Sequence, residues 1–242
     1  MTKNDAPKRD KSEYGTSIKD ILNWFTLGGL VYGPLDERLG IKEALEKALK
    51  RPIPYHVNWS FCFGGITFFI FCIQVLTGGL LLFFYRPTTD EAYYSVQFIT
   101  NDVPFGWLIR GVHYWSSHLM IITLSLHMLR VFLYGVYKSP REFNWVVGIL
   151  LFLITLWLGF TGALMAWNNT LYWRGVIGTS KFAGIPIVGD FIVKFLRGGE
   201  YVGGASLTRF FAFHIFIFPS LLSLLLILHF LMIRRQGISG PL

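Results

Sequence analysis

Four long apolar runs, separated by shorter and more polar segments, dominate the pattern of this chain. The runs cover approximately residues 61–84, 112–134, 145–167 and 210–232. Each matches the roughly 20 residues that an α-helix needs to cross the hydrocarbon core of a bilayer. The pattern therefore predicts an all-α integral membrane protein in which four spanning helices form one bundle.

The segment before the first run has a different pattern. Residues 1–16 are polar, whereas residues 17–25 and 36–51 carry apolar residues at helical spacing among charged ones. This spacing is typical of helices that lie along the cytoplasmic surface of a membrane, and it suits a helix docked on a partner subunit equally well. Pro52 and Pro54 should end the second of these helices before the first span.

Composition and charge agree with a membrane protein. Hydrophobic residues make up 53% of the 242 residues, charged residues make up 15%, and the mean hydropathy is +0.49. Of the 22 Lys and Arg residues, ten precede the first span, two lie between spans two and three, and two follow span four. By the positive-inside rule, both termini and the middle loop should face the cytoplasm, or the equivalent negative side of the membrane. The net charge of +8 reflects this sidedness, so nucleic-acid binding is not expected.

Two of the predicted spans carry histidines, which are costly inside hydrocarbon and are therefore functional candidates. His113 and His127 are fourteen residues apart on span two, so both rings project from one helix face. His214 and His229 are fifteen residues apart on span four, where the intervening Pro219 could bend or loosen the helix. Because spans two and four run in the same direction, His113 should share a depth with His214. His127 should likewise share a depth with His229.

Glycines recur at the same fourteen-residue interval on the other two spans. Gly64 and Gly78 lie on span one, and Gly148 and Gly162 lie on span three. Since glycine has no side chain, each pair makes two notches in a helix face, where a flat macrocycle could approach the backbone. Close packing of one helix on another is the alternative interpretation of small residues in a membrane. The interval shared with the histidines favours the macrocycle.

This ligand pattern predicts two b-type haems stacked across the membrane. Imidazole binds zinc, copper and iron alike, but zinc normally takes four clustered ligands, and each depth offers only two histidines. Two opposed imidazoles instead suit haem iron held on both axial positions, which transfers electrons. Arg110 and Arg130 lie one turn outside the histidines of span two, where they could pair with haem propionates or extend to the membrane interface.

The arrangement resembles the b6-type cytochrome b family, the N-terminal four-helix cytochrome b subunit of Rieske/cytochrome b complexes. The resemblance covers residues 35–242 and leaves residues 1–34 as a polar extension. It rests on the histidine and glycine pairs and on the stretches SPREFNWVVG, LTRFFAFH and MIRRQGISGPL. The fifteen-residue second interval and the end after four helices are the b6 pattern, whereas full-length mitochondrial-type cytochrome b uses fourteen residues and continues.

The resemblance implies a place for each haem. His113 and His214 would bind the b haem on the positive side, and His127 and His229 would bind the b haem on the negative side. Cys62, in the stretch SFCFGG, would attach a third, c-type haem by one thioether bond, next to the negative-side quinone site.

Expectations also follow for Arg234 and Cys72. The resemblance implies that Arg234 lies near the negative-side haem and quinone. Cys72 is expected to be a packing residue, since it lies about 15 Å along one helix from Cys62, too far for a disulfide.

The resemblance also implies the reaction and the partners. Quinol, with menaquinol favoured, would be oxidised on the positive side, one electron passing to a Rieske iron-sulfur protein and onward to a c-type cytochrome or plastocyanin. The other electron would cross the two haems to reduce quinone on the negative side, contributing to proton translocation. A C-terminal cytochrome b subunit resembling subunit IV would complete a dimeric complex in the cytoplasmic or another energy-transducing membrane, and the chain would not turn over alone.

One stretch departs from the family pattern. The segment ALMAWNNTLYWRGVIGTS after span three should form part of the quinol pocket's wall, but Ala166 and Asn168 stand where relatives commonly have Pro and Asp. Two other functions remain open from the residues alone. One is a di-haem membrane anchor that passes electrons between quinone and a dehydrogenase or hydrogenase. The other is a transporter or assembly factor whose histidines bind a metal or relay protons.

Overall fold

A computed structural model of the chain describes residues 54–237 and, before them, only Gly40, Glu43, Glu46 and Lys50. The chain divides into two units, Met1–Tyr55 and His56–Leu242. In the first unit, Lys50 Nζ pairs with Glu46 at 3.0 Å. The surface helix predicted at residues 17–25 lies outside the described residues, as do most positions of the one predicted at 36–51.

The second unit is built from helices, which we number α1 to α8 in chain order. A short 3₁₀ helix, Trp59–Cys62, leads into the first of them. The eight are α1 (Phe63–Leu82), α2 (Ala92–Asn101), α3 (Gly106–Leu133), α4 (Glu142–Leu164), α5 (Asn169–Ser180), α6 (Gly189–Arg197), α7 (Gly204–Ala212) and α8 (Phe218–Gln236). The part of the chain that the structure describes contains no β-strand.

The prediction of four membrane spans is confirmed. Within the described residues, four helical stretches are long and apolar enough to cross a bilayer: Trp59–Leu82, Gly106–Leu133, Glu142–Leu164 and Gly204–Gln236. Their ends differ from the predicted ones by one to six residues. The largest differences are at the starts of spans two and four, because helical backbone continues into the more polar residues that flank each apolar run.

The short helices between the spans were not predicted. Two of them, α5 and α6, have a local signal for one end: the Asn168 side chain accepts a hydrogen bond from Leu171 N–H and caps the start of α5. At the other end of this loop region, Gly198 adopts a left-handed conformation (φ 78°) and ends α6. Both are common helix-terminating devices, so these helices carried detectable signals despite lacking a long apolar run.

The spans pack mainly as two antiparallel pairs. Helix α1 lies along α3, and α8 lies along α4. Buried Val147, Leu151 and Ile154 of α4 pack against Leu222 of α8 in the main apolar core. Most large side chains on the outer faces of the spans are exposed in the isolated chain, as expected for surfaces that face lipid or other subunits.

The two pairs are also joined beyond the end of α1 by Tyr85. Its hydroxyl donates a 2.7 Å hydrogen bond to the Met165 carbonyl, just after α4. Its ring stacks on Phe211 of α7, with 5.8 Å between the ring centroids. Tyr85, in the loop after span one, therefore contacts both the end of span three and helix α7.

Span four is not a uniform α-helix. Residues Phe213–Ile217 form a π-helical turn, in which Phe218 N–H bonds to the Phe213 carbonyl five residues earlier. A π turn accommodates one more residue than the α-helical path that it replaces. Pro219, which has no N–H to donate, follows directly. The sequence suggested that the helix is loosened near Pro219, and the structure has this π turn there.

Candidate functional site: two histidine pairs

The structure brings His113 of α3 together with His214 of the π turn. Their ring centroids are 6.3 Å apart, and the ring planes make an angle of 79°. A bond from a metal to an imidazole nitrogen is about 2.0–2.1 Å long, and the centre of the ring lies roughly 1.1 Å beyond that nitrogen. Two imidazoles on opposite sides of one metal ion would therefore have centroids about 6.3 Å apart, which is the separation observed.

Neighbouring helices hold the Nδ1 atoms of this first pair. Thr77 Oγ1 of α1 lies 2.8 Å from His113 Nδ1. Thr161 Oγ1 of α4 lies 3.3 Å from His214 Nδ1. A metal-binding histidine commonly donates its second ring N–H to such an oxygen, so the pair has the surroundings of ligand histidines.

The four predicted glycines face the four histidines. A Cβ atom built on Gly162 would lie 2.5 Å from His214 Cε1, and one on Gly64 would lie 2.9 Å from His127 Cε1. The corresponding distances are 3.1 Å from Gly78 to His113 and 3.9 Å from Gly148 to His229. The glycine interval therefore repeats the histidine interval because the backbone at these positions makes room for an imidazole, where the sequence suggested room for a macrocycle.

The register of these contacts accounts for the unequal histidine intervals. The two glycines of α1 are fourteen residues apart, and so are the two histidines of α3 that they face. The two glycines of α4 are also fourteen residues apart, but the two histidines of span four that they face are fifteen apart. The π turn, Phe213–Ile217, contains His214 and adds one residue to the path from His214 to His229. It thereby keeps both histidines of span four in line with Gly162 and Gly148.

The second pair, His127 and His229, lies at the other end of the same bundle and lines one cavity of about 290 Å³. His127 Nδ1 is buried and has no hydrogen-bond partner among the described residues. His229 Nδ1 is likewise buried without a hydrogen-bond partner among the described residues. The second pair thus has room around its rings but lacks the threonine contacts of the first.

Polar side chains surround this cavity. Arg130 lies over the Phe61 ring, with its guanidinium carbon 4.5 Å from the ring centroid, and its Nε is buried without a partner within the described residues. The middle loop closes this end of the bundle, since Arg141 donates to the Gln236 carbonyl at 3.3 Å and Gln236 donates to the Pro140 carbonyl at 2.9 Å. A buried, unpaired guanidinium nitrogen beside His127 suits an anionic group such as a haem propionate.

The other predicted site residues lie near the ends of the spans. Arg110 is half-buried on α3, one turn before His113, and Arg234 is exposed in the last turn of α8. Cys62 is exposed at the end of the 3₁₀ helix, whereas Cys72 is half-buried along α1, and both are free thiols.

A groove lies beside α5, on the segment predicted to form part of a quinol pocket. Its walls combine apolar rings with two cations, and they include Phe160, Thr170, Trp173, Arg174, Ile177 and Lys181. Asn168, which departs from the family pattern, caps α5 through its side-chain oxygen. Asparagine and aspartate cap helices about equally well, so this departure preserves the start of the helix that forms the groove.

The arrangement fits two-ligand haem sites. Among the described residues, no group of three or more His, Cys, Asp or Glu side chains could hold a metal ion, so the opposed histidine pairs are the candidates. The glycine contacts, the threonine contacts of the first pair and the unpaired Arg130 Nε of the second all suit axial imidazole ligands and haem propionates. Sequence reasoning missed Thr77 and Thr161, although each directly precedes one of the predicted glycines.

Comparison with known proteins points to one family. A profile described as Cytochrome b/b6/petB matches residues 48–237. Cytochrome b6 of Synechococcus sp. (strain WH7803) is 49% identical over 212 residues, which are 88% of this chain and 97% of that protein. Cytochrome b6 of Prochlorococcus marinus (strain NATL1A) is 47% identical over the same shares of the two chains.

A solved structure has a similar fold. A chain of a hyperthermophilic respiratory Complex III matches with a TM-score of 0.78 and 28% sequence identity. The match covers 87% of this chain and 56% of that one, so this chain spans little more than half the length of that relative. The expected likeness to b6-type cytochrome b is confirmed by the sequence matches and supported by this fold.

Proposed function

The chain belongs to the cytochrome b/b6 family of multi-pass membrane proteins, and on this premise we propose that it is the di-haem cytochrome b subunit of a quinol:cytochrome c or plastocyanin-type oxidoreductase. It moves electrons across the membrane from quinol oxidation on the positive side to quinone reduction on the negative side. It works only within its complex, because the soluble acceptor and the Rieske cluster belong to other subunits.

The 6.3 Å separation of the His113 and His214 rings carries this proposal. The two imidazoles would hold one b haem between α3 and span four, and His127 and His229 would hold a second in the cavity at the other end. Haem iron held by these residues would supply one-electron transfer. Arg110 and Arg130 pair with the propionates of the first and second haem respectively, and the four glycines let the ligand rings approach the backbone.

Charge supports the orientation of the chain. Lys138 and Arg141 lie in the middle loop, and Arg234 and Arg235 lie in the last turn of span four, all at the end that carries His127 and His229. The positive-inside rule assigns this end, and both termini, to the negative side of the membrane. The His113/His214 haem is then the positive-side one.

Quinone chemistry is proposed at both ends. The groove beside α5 lies at the His113/His214 end of the bundle, where its apolar rings could hold a quinol ring and Arg174 and Lys181 add positive charge. At the opposite end, Arg234 lies near the place of quinone reduction. We expect menaquinol as the substrate, with a Rieske protein, a c-type cytochrome and a C-terminal cytochrome b subunit completing a dimeric complex.

A third haem is proposed at Cys62. This thiol is exposed at the entry to span one, within one turn of Gly64, which contacts His127. A covalent c-type haem on Cys62 would therefore lie at the level of the second b haem. The neighbouring Phe61 and Gly65 line the cavity of that haem.

The principal test is spectroscopic. Reduced-minus-oxidised spectra of the complex purified from membranes should contain two b-type components, and added quinol should reduce them. A preparation without b-type bands would overturn the proposal. It would favour a transporter or assembly factor whose histidines bind a metal or relay protons. Two b bands in a complex that lacks a Rieske centre and instead carries a dehydrogenase would favour the di-haem membrane anchor.

Cys62 has its own test. Haem staining of the denatured, separated polypeptide should show retained haem in the wild type and in Cys72→Ala, and none in Cys62→Ala. Cys72 is the matched control because it is the other free cysteine of the same span. Absence of stain from the wild-type polypeptide would remove the third haem while leaving the two b haems in place.

A further inference from the structure

We propose that Thr77 is a positioning residue that fixes the tautomer of His113 and thereby lowers the reduction potential of the iron that this histidine binds. The inference rests on the proposed function only in that it takes His113 and His214 as haem ligands. Its structural basis is a set of contacts from one turn of α1 to one histidine of α3.

The direction of the hydrogen bonds made by the Thr77 hydroxyl shows which nitrogen of the His113 ring carries the proton. Thr77 Oγ1 lies 2.6 Å from the Ile73 carbonyl, which can only accept, so the hydroxyl donates to that carbonyl. The same oxygen lies 2.8 Å from His113 Nδ1 and must accept there. Nδ1 therefore carries the ring proton, and the lone pair of Nε2 is left for a metal.

The same turn of α1 holds His113 at two more points. Gln74 Nε2 donates to the His113 backbone carbonyl and to Ser116 Oγ, both at 2.8 Å. On the other side of Thr77, the backbone at Gly78 lies so close to the ring that an added Cβ would be 3.1 Å from Cε1. Helix α1 therefore contacts the backbone carbonyl, the Cε1 edge of the ring and the Nδ1 atom of His113, so the imidazole has little freedom to rotate.

The partner histidine provides an internal comparison. Thr161 occupies the equivalent position on α4, directly before Gly162, and donates to the Trp157 carbonyl at 2.8 Å. Its contact with His214 Nδ1 is longer, 3.3 Å, than the 2.8 Å contact between Thr77 and His113. Removing the Thr161 hydroxyl therefore breaks a weaker hydrogen bond than removing the Thr77 hydroxyl does.

The expected effect is electronic. An acceptor on Nδ1–H makes the imidazole a more basic ligand, which favours ferric over ferrous iron and lowers the potential. A hydrogen bond of this kind contributes about 0.5–1.5 kcal/mol in total, so its loss should change the ferrous-to-ferric ratio at fixed potential by about twofold to tenfold. For one electron, tenfold corresponds to about 59 mV.

Thr77→Val and Thr77→Ser in the purified complex test the inference by potentiometry of the b bands. We expect the midpoint of the His113/His214 haem to rise in Thr77→Val and to return toward the wild-type value in Thr77→Ser. Thr161→Val should raise the same midpoint less. Thr123→Val is the matched control, since Thr123 Oγ1 bonds to the Leu119 carbonyl and to Thr67 on the same helix pair, and it should change neither midpoint.

The outcomes separate the inference from the proposed function. An unchanged midpoint in Thr77→Val, an equal rise in Thr77→Ser, or a shift confined to the other haem would overturn the role of Thr77. Absence of b bands from the wild type would overturn the proposed function instead. If Thr77→Val does not assemble, Thr77→Ala removes the same hydroxyl with a smaller side chain. A raised midpoint in Thr77→Ala would support the role of Thr77, and an unchanged midpoint would overturn it.

Discussion

The two histidine pairs are built from the same helices but are held differently. Hydroxyl groups of α1 and α4 contact the Nδ1 atoms of the His113/His214 pair, and its rings are 6.3 Å apart. The His127/His229 pair lines a cavity with Arg130 and Asn144, and His127 Nδ1 has no partner among the described residues. One pair is fixed by direct helix-to-helix hydrogen bonds, whereas the other has space and unpaired polar atoms beside it.

This difference bears on what each haem can do. A ligand ring held at several points presents a fixed geometry to the iron, which suits a site that only passes electrons. A cavity with unsatisfied polar atoms can instead accept further groups beside the haem, such as propionates, water or a quinone head. The proposed place of quinone reduction, beside the second pair, fits the more open of the two sites.

The largest expected effect is the loss of a whole haem. His113→Ala should abolish one b component and His127→Ala should abolish the other, because each variant removes one of only two axial ligands at its level. Haem-to-protein ratios and reduced-minus-oxidised spectra measure both. Loss of the same component in the two variants would contradict the pairing.

One-residue deletions in the two ligand-bearing spans should have unequal effects. Deleting Phe216 together with Pro219→Ala converts the span-four interval to fourteen residues, which an unbroken α-helix can align with the fourteen-residue glycine interval on α4. Both haems should be retained. Deleting exposed Leu119 from α3 should remove at least one haem, because it turns the two ligands about 100° out of line.

The same haem spectra measure these deletions. If the span-four deletion loses a haem while the protein still assembles, the additional residue is not simply absorbed by the π turn. If the α3 deletion retains both haems, the alignment of His113 and His127 on one face is not required.

Smaller, graded effects are expected from alanine at the glycines. Gly162→Ala should weaken haem binding most and Gly148→Ala least, because the added Cβ would lie 2.5 Å from His214 in the first case and 3.9 Å from His229 in the second. Overpacking of this kind costs about 1–3 kcal/mol. The temperature at which each variant loses its haem during thermal unfolding measures this ranking. Gly79→Ala is the control for Gly78→Ala, since nothing lies within 4 Å of its added Cβ.

The sequence predicted the features that repeat along the chain. Long apolar runs identify the four spans, and the direction of spans two and four pairs His113 with His214. The π turn was not predictable in detail, because it arises from a shift of one backbone hydrogen bond and only Pro219 marks its place. Thr77 was missed because a threonine in a membrane helix usually satisfies its hydroxyl on its own helix, and its second contact depends on the neighbouring helix.

Tyr85 has a consequence for the gap between the ligands of the first pair. His113 and His214 belong to different antiparallel helix pairs, so their separation depends on what joins those pairs at this end of the bundle. The Tyr85 hydroxyl bonds to the Met165 carbonyl there, and burial raises the pKa of this phenol above its usual value near 10. The phenol therefore keeps the proton that it donates even when the surrounding water becomes alkaline. The contact that joins the two helix pairs, and with it the width of the ligand gap, is thus kept over a wide range of pH.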